Sequence, residues 1–389
     1  MTRDLRLVAI SLFFWGLGEA TWYYFEPLYM QQLGADPIRI GVIIGLSSLA
    51  MTLTHLPAGA LADRFGRRSI LIAGWLSGVA AAGIMYLARS LTVFAVGLVL
   101  YGFTGFVISP LNSYITNARR EWSVARALTT IGAAYSLGAI FGPALGGWFA
   151  ERIELRSVFG LATVIFAIST AVIVFAAPQP VEKREEDLHY RDLFSNTALS
   201  RFLPLVFVSI FAMYLSWPLT PIFLQNERQM SVSQIGLFGA FNGVGLVLLN
   251  LGLGRLESRR GLILAQVFVA VSIVLIWQGP GAPWFAAGYL LAGAFRTAHS
   301  MLVAQAEGLV HRANLGLAYG AVETASGAVI VLAAPIAGAL YGIRPTLPFP
   351  AGLLLIVLAL VLTLKLSPGV LTRAAGSPVP MAISDLRRE

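Results

Sequence analysis

The chain alternates between long apolar stretches and short polar or Pro- and Gly-rich segments. A helix crosses the hydrocarbon core of a bilayer with about 20 consecutive apolar residues, and each stretch is close to that length. The pattern therefore predicts an all-α integral membrane protein with twelve transmembrane helices. The predicted helices occupy residues 7–33, 38–62, 70–89, 91–116, 127–150, 157–177, 202–225, 233–254, 261–278, 283–308, 316–341 and 348–366.

The polar segment 178–200 predicts a cytoplasmic linker between two six-helix bundles, residues 1–177 and 201–389, the second with a short cytoplasmic tail. The two halves repeat each other, which predicts pseudo-symmetric bundles. The matching segments are Pro27-Leu28-Tyr29-Met30-Gln31 with Pro221-Ile222-Phe223-Leu224-Gln225, Arg67-Arg68 with Arg259-Arg260, and Pro143-x-x-Gly146 with Pro335-x-x-Gly338.

Basic residues are unevenly distributed between the loops. Most of the 27 Lys and Arg residues fall on one side of the predicted helices, the side that holds the N-terminus and the linker. The positive-inside rule places that side in the cytoplasm. We therefore expect a multi-pass protein of the cytoplasmic (inner) membrane with both termini in the cytoplasm.

Composition restricts the function. With 57% hydrophobic and 12% charged residues the chain is far more apolar than a soluble domain. The net charge of +8 is spread in small groups, so we expect no nucleic-acid partner. The chain has no cysteine, no H-E-x-x-H or G-x-S-x-G pattern and no Gly-Lys pair, because its lysines are Lys183 and Lys365. We expect no enzyme, no ATP site, no cofactor and no metal site.

A short basic turn separates the second and third predicted helices. Gly59 is small enough for two helices to approach closely, Gly66 suits a tight turn, and the arginines keep the loop in the cytoplasm. Asp63 is an acid in a basic loop, so the positive-inside rule does not explain its presence there. The turn reads Gly59-Ala60-Leu61-Ala62-Asp63-Arg64-Phe65-Gly66-Arg67-Arg68-Ser69-Ile70-Leu71.

This turn resembles the G-x-L-a-D-r-x-G-r-r loop of the major facilitator superfamily. The resemblance implies two bundles related by an axis along the membrane normal, with a substrate site between them that helices 1, 4, 7 and 10 line. It also implies that Asp63 meets the N-terminus of the eleventh helix when the cavity faces outward. The residues of this conformational-switch motif are Gly59, Leu61, Asp63, Arg64, Gly66, Arg67 and Arg68.

The fifth predicted helix resembles a G-x-x-x-G-P-x-x-G-G motif of drug/proton antiporters in that superfamily. The match is incomplete, because Thr129 occupies a position where the motif has glycine. The alternative is a small-residue face and a proline kink that let helices pack and bend. The helix-packing residues are Gly138, Gly142, Pro143, Gly146 and Gly147.

Ionisable residues inside predicted helices are candidates for function, because burying them is costly. Glu19 lies near mid-depth in the first helix and Arg296 near mid-depth in the tenth, and the resemblance implies that they face each other across the cavity. His299 and Glu323 are further candidates for proton coupling beside Glu19. Glu323 either pairs with Arg312 or senses protons, and Glu26 is a substrate ligand or an ordinary vestibule residue.

Aromatic side chains on the same helical faces predict a wall suited to flat amphipathic ligands. The alternative for about half of them is contact with lipid or neighbouring helices. The predicted substrate-binding residues are Trp15, Glu19, Trp22, Tyr23, Glu26, Tyr101, Asn112, Tyr214, Trp217, Arg296 and His299.

These features favour a proton-coupled secondary active transporter that works by alternating access and exports amphipathic organic compounds. The first alternative is a proton-coupled symporter for an organic anion or another small metabolite, with Arg296 as the partner of the anion. An alternative of another class is a non-transporting membrane receptor. The expected partners are a small-molecule substrate, protons and the lipid bilayer, and we expect a monomer.

Overall fold

The computed structural model describes residues 1–179, 197–310 and 315–367, without the side chains of 55–63, 125 and 315–317. Twelve helical segments, numbered here as α1 to α12, follow one another along these residues. The first six are α1 (Arg3–Tyr23, continued by Glu26–Gln32), α2 (Pro37–Phe65), α3 (Arg67–Leu87), α4 (Leu91–Phe103, a 3-10 turn Thr104–Val107, then Ile108–Ala118), α5 (Val124–Arg152) and α6 (Ser157–Ile173).

The other six are α7 (Thr197–Tyr214, continued by Thr220–Asn226), α8 (Val232–Leu253), α9 (Ser258–Gln278), α10 (Ala282–Ala292, then Ala294–Glu307), α11 (Leu315–Ile343) and α12 (Pro348–Leu366). Nine of the described helices are long and apolar enough to cross a membrane by length and composition, and α6 is a shorter apolar helix. The segments α1 and α10 are not among these, and they carry the mid-span charges Glu19 and Arg296. The twelve-helix, two-bundle fold predicted from sequence is confirmed.

Four segments are interrupted, at corresponding places in the two halves. The breaks in α1 and α7 are each followed by a short helix with proline in its first turn, Pro27 or Pro221. Proline has no N–H to continue the hydrogen-bond ladder. The α-helical runs of α4 and α10 are interrupted at Thr104–Val107 and at Gly293. The first and fourth helices of each bundle are therefore interrupted.

A buried polar node ties together three helices in each bundle. In the first, Trp75 Nε1 on α3 donates to Ser11 Oγ on α1 and Ser169 Oγ on α6, both at 2.8 Å. In the second, α9 supplies Gln266, whose Nε2 donates to a serine on α7 at 3.1 Å and a threonine on α12 at 3.0 Å, namely Ser209 and Thr363. Polar groups inside a bilayer need such internal partners, and the repeat places both nodes between equivalent helices.

The basic turn has the expected backbone. Gly66 adopts a φ of 82° between α2 and α3, a conformation that glycine reaches without steric cost. The guanidinium of Arg68 donates to the Val174 carbonyl at the end of α6 at 2.7 Å, and Arg259 donates to the Leu364 carbonyl at the end of α12 at 2.6 Å. By these contacts Arg68 corresponds to Arg259, so the sequence alignment of the two arginine pairs is wrong by one residue.

The structure describes only part of the rest of the conformational-switch motif. Arg67 opens α3, and the Arg64 guanidinium lies 5.3 Å from the ring centre of Phe65. The side chains of Gly59, Leu61 and Asp63 lie outside the described residues, and the expected contact of Asp63 stays a prediction.

The two halves meet along α2 with α11 and along α5 with α8. We call the membrane face that holds the Gly66 turn the basic side, and the other face the opposite side. A Cβ added to Gly41 on α2 would lie 2.2 Å from the Ala334 carbonyl oxygen, and one added to Gly236 on α8 would lie 2.3 Å from the Pro143 carbonyl oxygen. Both close approaches lie toward the opposite side.

The antiporter-like motif in α5 packs helices in two directions. Gly138, Gly142 and Gly146 face α1, where an added Cβ would lie 2.0 to 2.6 Å from backbone oxygens of that helix, and Gly147 faces α8. The carbonyl of Pro143 faces α8 as well. These residues therefore join α5 to its own bundle and to the other one.

Polar contacts seal the opposite side. The Oε2 of Glu151, at the end of α5, accepts a hydrogen bond from the Ser231 hydroxyl at 3.1 Å and from the Ser233 amide at 3.0 Å, both at the start of α8. Deeper in, the Tyr24 hydroxyl donates to Asn242 Oδ1 at 3.0 Å. Since both contacts join the two halves, the structure is closed on this side.

Substitution of a packed glycine in α5 tests this packing. We expect Gly138→Ala to lower the free energy of unfolding by about 1–3 kcal/mol, because the new methyl group meets the Phe13 carbonyl of α1. Gly132→Ala in the same helix is the control, since nothing lies within 4 Å of its added Cβ, and it should be neutral or slightly stabilising. Thermal unfolding in detergent measures both, and equal melting temperatures would contradict the packing.

Removal of the Glu151 carboxylate tests the seal. An acid at a helix N-terminus contributes about 0.3–1 kcal/mol, so Glu151→Ala should raise the population that is open on the opposite side about two- to fivefold. Glu154→Ala is the control, because that carboxylate binds Arg156 within its own half. Spin or dye labels on cysteines introduced at Arg89 and Gln278, exposed near that side of the two halves, report the separation. The same distance distribution in both variants would contradict the role of Glu151.

Candidate functional site

The carboxylate of Glu19 lies on α1 between two tyrosines from neighbouring helices of its own bundle. The Tyr135 hydroxyl on α5 donates to Glu19 Oε2 at 2.6 Å, and the Tyr101 side chain on α4 is close enough to interact with the Glu19 carboxylate. Hydrogen bonds to a carboxylate are short and strong. The neutral Tyr135 hydroxyl holds the carboxylate in place. Glu19 is only partly buried, and it borders the space between the halves.

Arg296 approaches the same space from the second bundle. It follows the Gly293 break in α10 and its side chain is exposed. Its charge acts on Glu19, Tyr23 and Tyr135 across the space between the halves. In the part of the chain that the structure describes, Glu19 and Arg296 form no ion pair within 4.0 Å. An acid and a base therefore face a common space without direct contact.

An aromatic pocket lies between the halves, closer to the opposite side. It is formed where α1 and α7 are interrupted, and the ring centres of Tyr24 and Trp217 lie 6.2 Å apart at this pocket. Of the predicted substrate ligands, Tyr23, Glu26, Tyr214 and Trp217 border this pocket. Its lining is Tyr23, Tyr24, Glu26, Pro27, Ile44, Tyr214, Trp217, Pro218 and Pro221.

Glu26 is not a vestibule residue in this conformation. Only 8% of its surface is exposed, because the closed opposite side covers the pocket. The interpretation as an ordinary hydrated residue near the surface is therefore wrong for this state.

Two of the predicted cavity tryptophans lie inside the first bundle instead. The Trp15 ring lies 4.5 Å from Phe166 and 4.9 Å from Trp75 between ring centres, and the Trp22 ring lies 4.8 Å from Tyr101. Aromatic pairs at such distances stabilise a core. Trp15 and Trp22 therefore support the site from behind, and of this cluster Tyr101 reaches Glu19.

The remaining predicted residues lie toward the basic side. His299 Nε2 on α10 lies 3.5 Å from Glu323 Oε2 on α11, so the structure brings two proton-coupling candidates together. The alternative partner Arg312 is outside the described residues. Asn112 on α4 is exposed and has no contact with Glu19 or Arg296 among the described interactions.

Sequence reasoning missed Tyr135, Tyr24 and Asn242. Tyr135 is neutral and lies on a helix that the resemblance did not place at the cavity, but it precedes Gly138 by three residues and so shares the face that packs on α1. Tyr24 is adjacent to the predicted Tyr23, and its contact with Asn242 links the halves. Among the described residues no group of three or more His, Asp or Glu side chains could hold a metal.

Comparisons with known proteins agree with this architecture. The family model described as Major Facilitator Superfamily matches residues 8–205 and 202–387. The chain is 28% identical over 274 residues to multidrug resistance protein MdtG of Salmonella arizonae, which covers 67% of this chain and 68% of that protein.

Solved structures share the fold at low sequence identity. The crystal structure of nucleoside transporter NupG superposes with a TM-score of 0.78 at 13% identity, covering 94% of this chain and 98% of NupG. The human organic anion transporter MFSD10 superposes with a TM-score of 0.66 at 17% identity, covering 93% and 99%. The chain belongs to the Major Facilitator Superfamily and is a multi-pass membrane transporter of small molecules, not an enzyme.

Proposed function

We propose that this transporter exports amphipathic organic compounds in exchange for protons, by alternating access. The observation that carries the proposal is Glu19, an acid at mid-depth that binds Tyr135 in its own bundle and experiences the charge of Arg296 in the other. Ionisable groups are retained inside a membrane where they bind a substrate or a proton. The similarity to proteins named for multidrug resistance supports export.

The chemistry of Glu19 gives the direction of coupling. When ionised, Glu19 partly neutralises Arg296 in a space of low dielectric constant. A cationic substrate binds the ionised acid and a proton displaces that substrate, so the two compete and the cycle is an exchange. Neutral or cationic amphipaths fit this scheme, because Tyr23, Tyr214 and Trp217 border the pocket and Tyr23 is within electrostatic reach of Glu19.

The proposal also covers the orientation of the protein in the membrane and its location in the cell. We place the basic side in the cytoplasm, both termini with it, and the protein in the cytoplasmic membrane as a monomer that needs no ATP. The two bundles, 1–177 and 201–389, are joined by the linker 178–200, most of which lies outside the described residues. The closed opposite side then corresponds to a cavity that faces inward.

Uptake of an organic anion is the second candidate function. Arg296 cannot lose its charge, and in the described part of the chain it makes no ion pair with a carboxylate within 4.0 Å. A bound anion would neutralise it, and MFSD10, which shares the fold, is named an organic anion transporter. In this case proton and anion bind together and the cycle is symport.

Neutralisation of Glu19 tests the proposal. We expect Glu19→Gln to abolish proton-driven accumulation of a cationic dye in inside-out vesicles, because the glutamine cannot exchange its proton. Downhill exchange of a neutral ligand should remain measurable. The measurement is dye uptake with and without an imposed pH gradient.

The control is Glu227→Gln. Glu227 is an exposed acid just after the end of α7, and this variant should transport like the unchanged protein. Arg296→Ala alone should be less active than the double variant with Glu19→Gln, since the single change leaves a partly buried acid without its counter-charge. Full proton-driven uptake in Glu19→Gln would place the coupling site elsewhere, with His299 and Glu323 as the next candidates. Uptake of anions in right-side-out vesicles would favour the second candidate.

A further inference from the structure

Glu26 is the one acid among the residues that line the pocket, and the proposed function does not use it. It opens the short helix Glu26–Gln32 after the break in α1, and it is 8% exposed. Of the residues that line its pocket none is basic. No ion pair and no hydrogen bond of its carboxyl group is found within the described residues.

The groups that face Glu26 are neutral or acidic. From α1 they are Glu19, Tyr23 and Tyr24, and from α7 they are Tyr214 and Trp217. The segment α2 contributes Ile44, which is apolar. Burying an ionised carboxylate without a cation costs several kcal/mol, whereas the protonated acid is tolerated. The pocket is therefore built for the neutral form of Glu26.

The pocket exists only while the two halves are closed on the opposite side. Its walls come from α1 and α2 of one bundle and α7 of the other, and Tyr24, which lines the pocket, donates to Asn242 of the other half at 3.0 Å. Separation of the halves would let water reach Glu26 and stabilise its ionised form. Glu26 is therefore buried when this side closes and hydrated when this side opens.

We propose that Glu26 is a gating proton site, which must bind a proton from the opposite side before that side can close. The proton adds to a carboxylate oxygen of Glu26 on closing and returns to the same side on opening. This proton makes no net contribution to flux, which distinguishes it from the coupling proton at Glu19. The inference concerns the conformational equilibrium and does not depend on which substrate is carried.

The pH dependence follows from linkage. The closed state binds one proton more than the open state wherever the exposed carboxylate is ionised. The ratio of closed to open molecules should then fall about tenfold for each unit rise in pH. At a pH low enough to protonate Glu26 in the open state as well, the ratio of closed to open molecules should no longer change with pH.

The experiment measures that ratio in the full-length protein without substrate, reconstituted in nanodiscs. Labels on cysteines at Arg89 and Gln278 report the separation of the halves between about pH 5 and pH 9. Glu26→Gln should stay closed at all pH values, because the glutamine is always neutral. Glu26→Asp keeps a titrating group and should keep the pH dependence, and Glu227→Gln should behave like the unchanged protein.

Each result decides the question. Equal pH dependence in Glu26→Gln and the unchanged protein overturns the proposal. So does closure at high pH on addition of tetramethylammonium, since the pocket would then bind an organic cation in place of the proton. Loss of proton-driven transport in Glu19→Gln together with an unaltered equilibrium in Glu26→Gln would leave the proposed function standing and this inference refuted.

Discussion

A polar group inside a bilayer has no water to bind, so it needs a partner within the protein. The two buried nodes meet this requirement with the same solution, one donor on the third helix of a bundle and two hydroxyls on its first and sixth helices. The nodes hold each bundle as a unit. Glu19, Glu26 and Arg296, which form no ion pair within the described residues, lie between the bundles, where a substrate, a proton or water can neutralise or solvate their charges.

Close backbone contact complements these polar constraints. Lipid tails are as apolar as leucine, so helices associate in a membrane through packing rather than through the hydrophobic effect. The approach of Gly41 to Ala334 and of Gly236 to Pro143 gives the two bundles matched contacts, in keeping with the repeat. Because these contacts are made by small residues, the backbones of the two bundles approach each other closely.

The sequence was sufficient for the architecture and for the charged part of the site. Long apolar stretches and the internal repeat predicted the twelve segments, and the cost of a buried charge singled out Glu19 and Arg296. The sequence was less informative about which residues on the predicted face of α1 reach the pocket. A helical face about 120° wide contains both Trp15, which packs on Trp75, and Tyr23, which borders the pocket, and periodicity alone cannot say which edge of the face meets a neighbouring helix.

Other features depend on contacts between distant segments. Tyr135 carries no charge, so no cost of burial marked it, and its role follows from the 2.6 Å contact with Glu19. The one-residue offset between Arg68 and Arg259 became visible through the carbonyl groups that they bind. The exposure of Glu26 depends on whether the halves are closed, which is a property of a conformation rather than of the sequence.

The contact of Glu151 with α8 has a mechanical consequence. Ser231 and Gln234 already form a complete capping box, in which the serine oxygen accepts from the Gln234 amide and the glutamine oxygen accepts from the Ser231 amide. Glu151 adds a ligand from outside to a helix end that is satisfied without it. When the carboxylate leaves, the first turn of α8 does not fray, so the helix can act as a stiff lever that docks and undocks at one point with its length and axis unchanged.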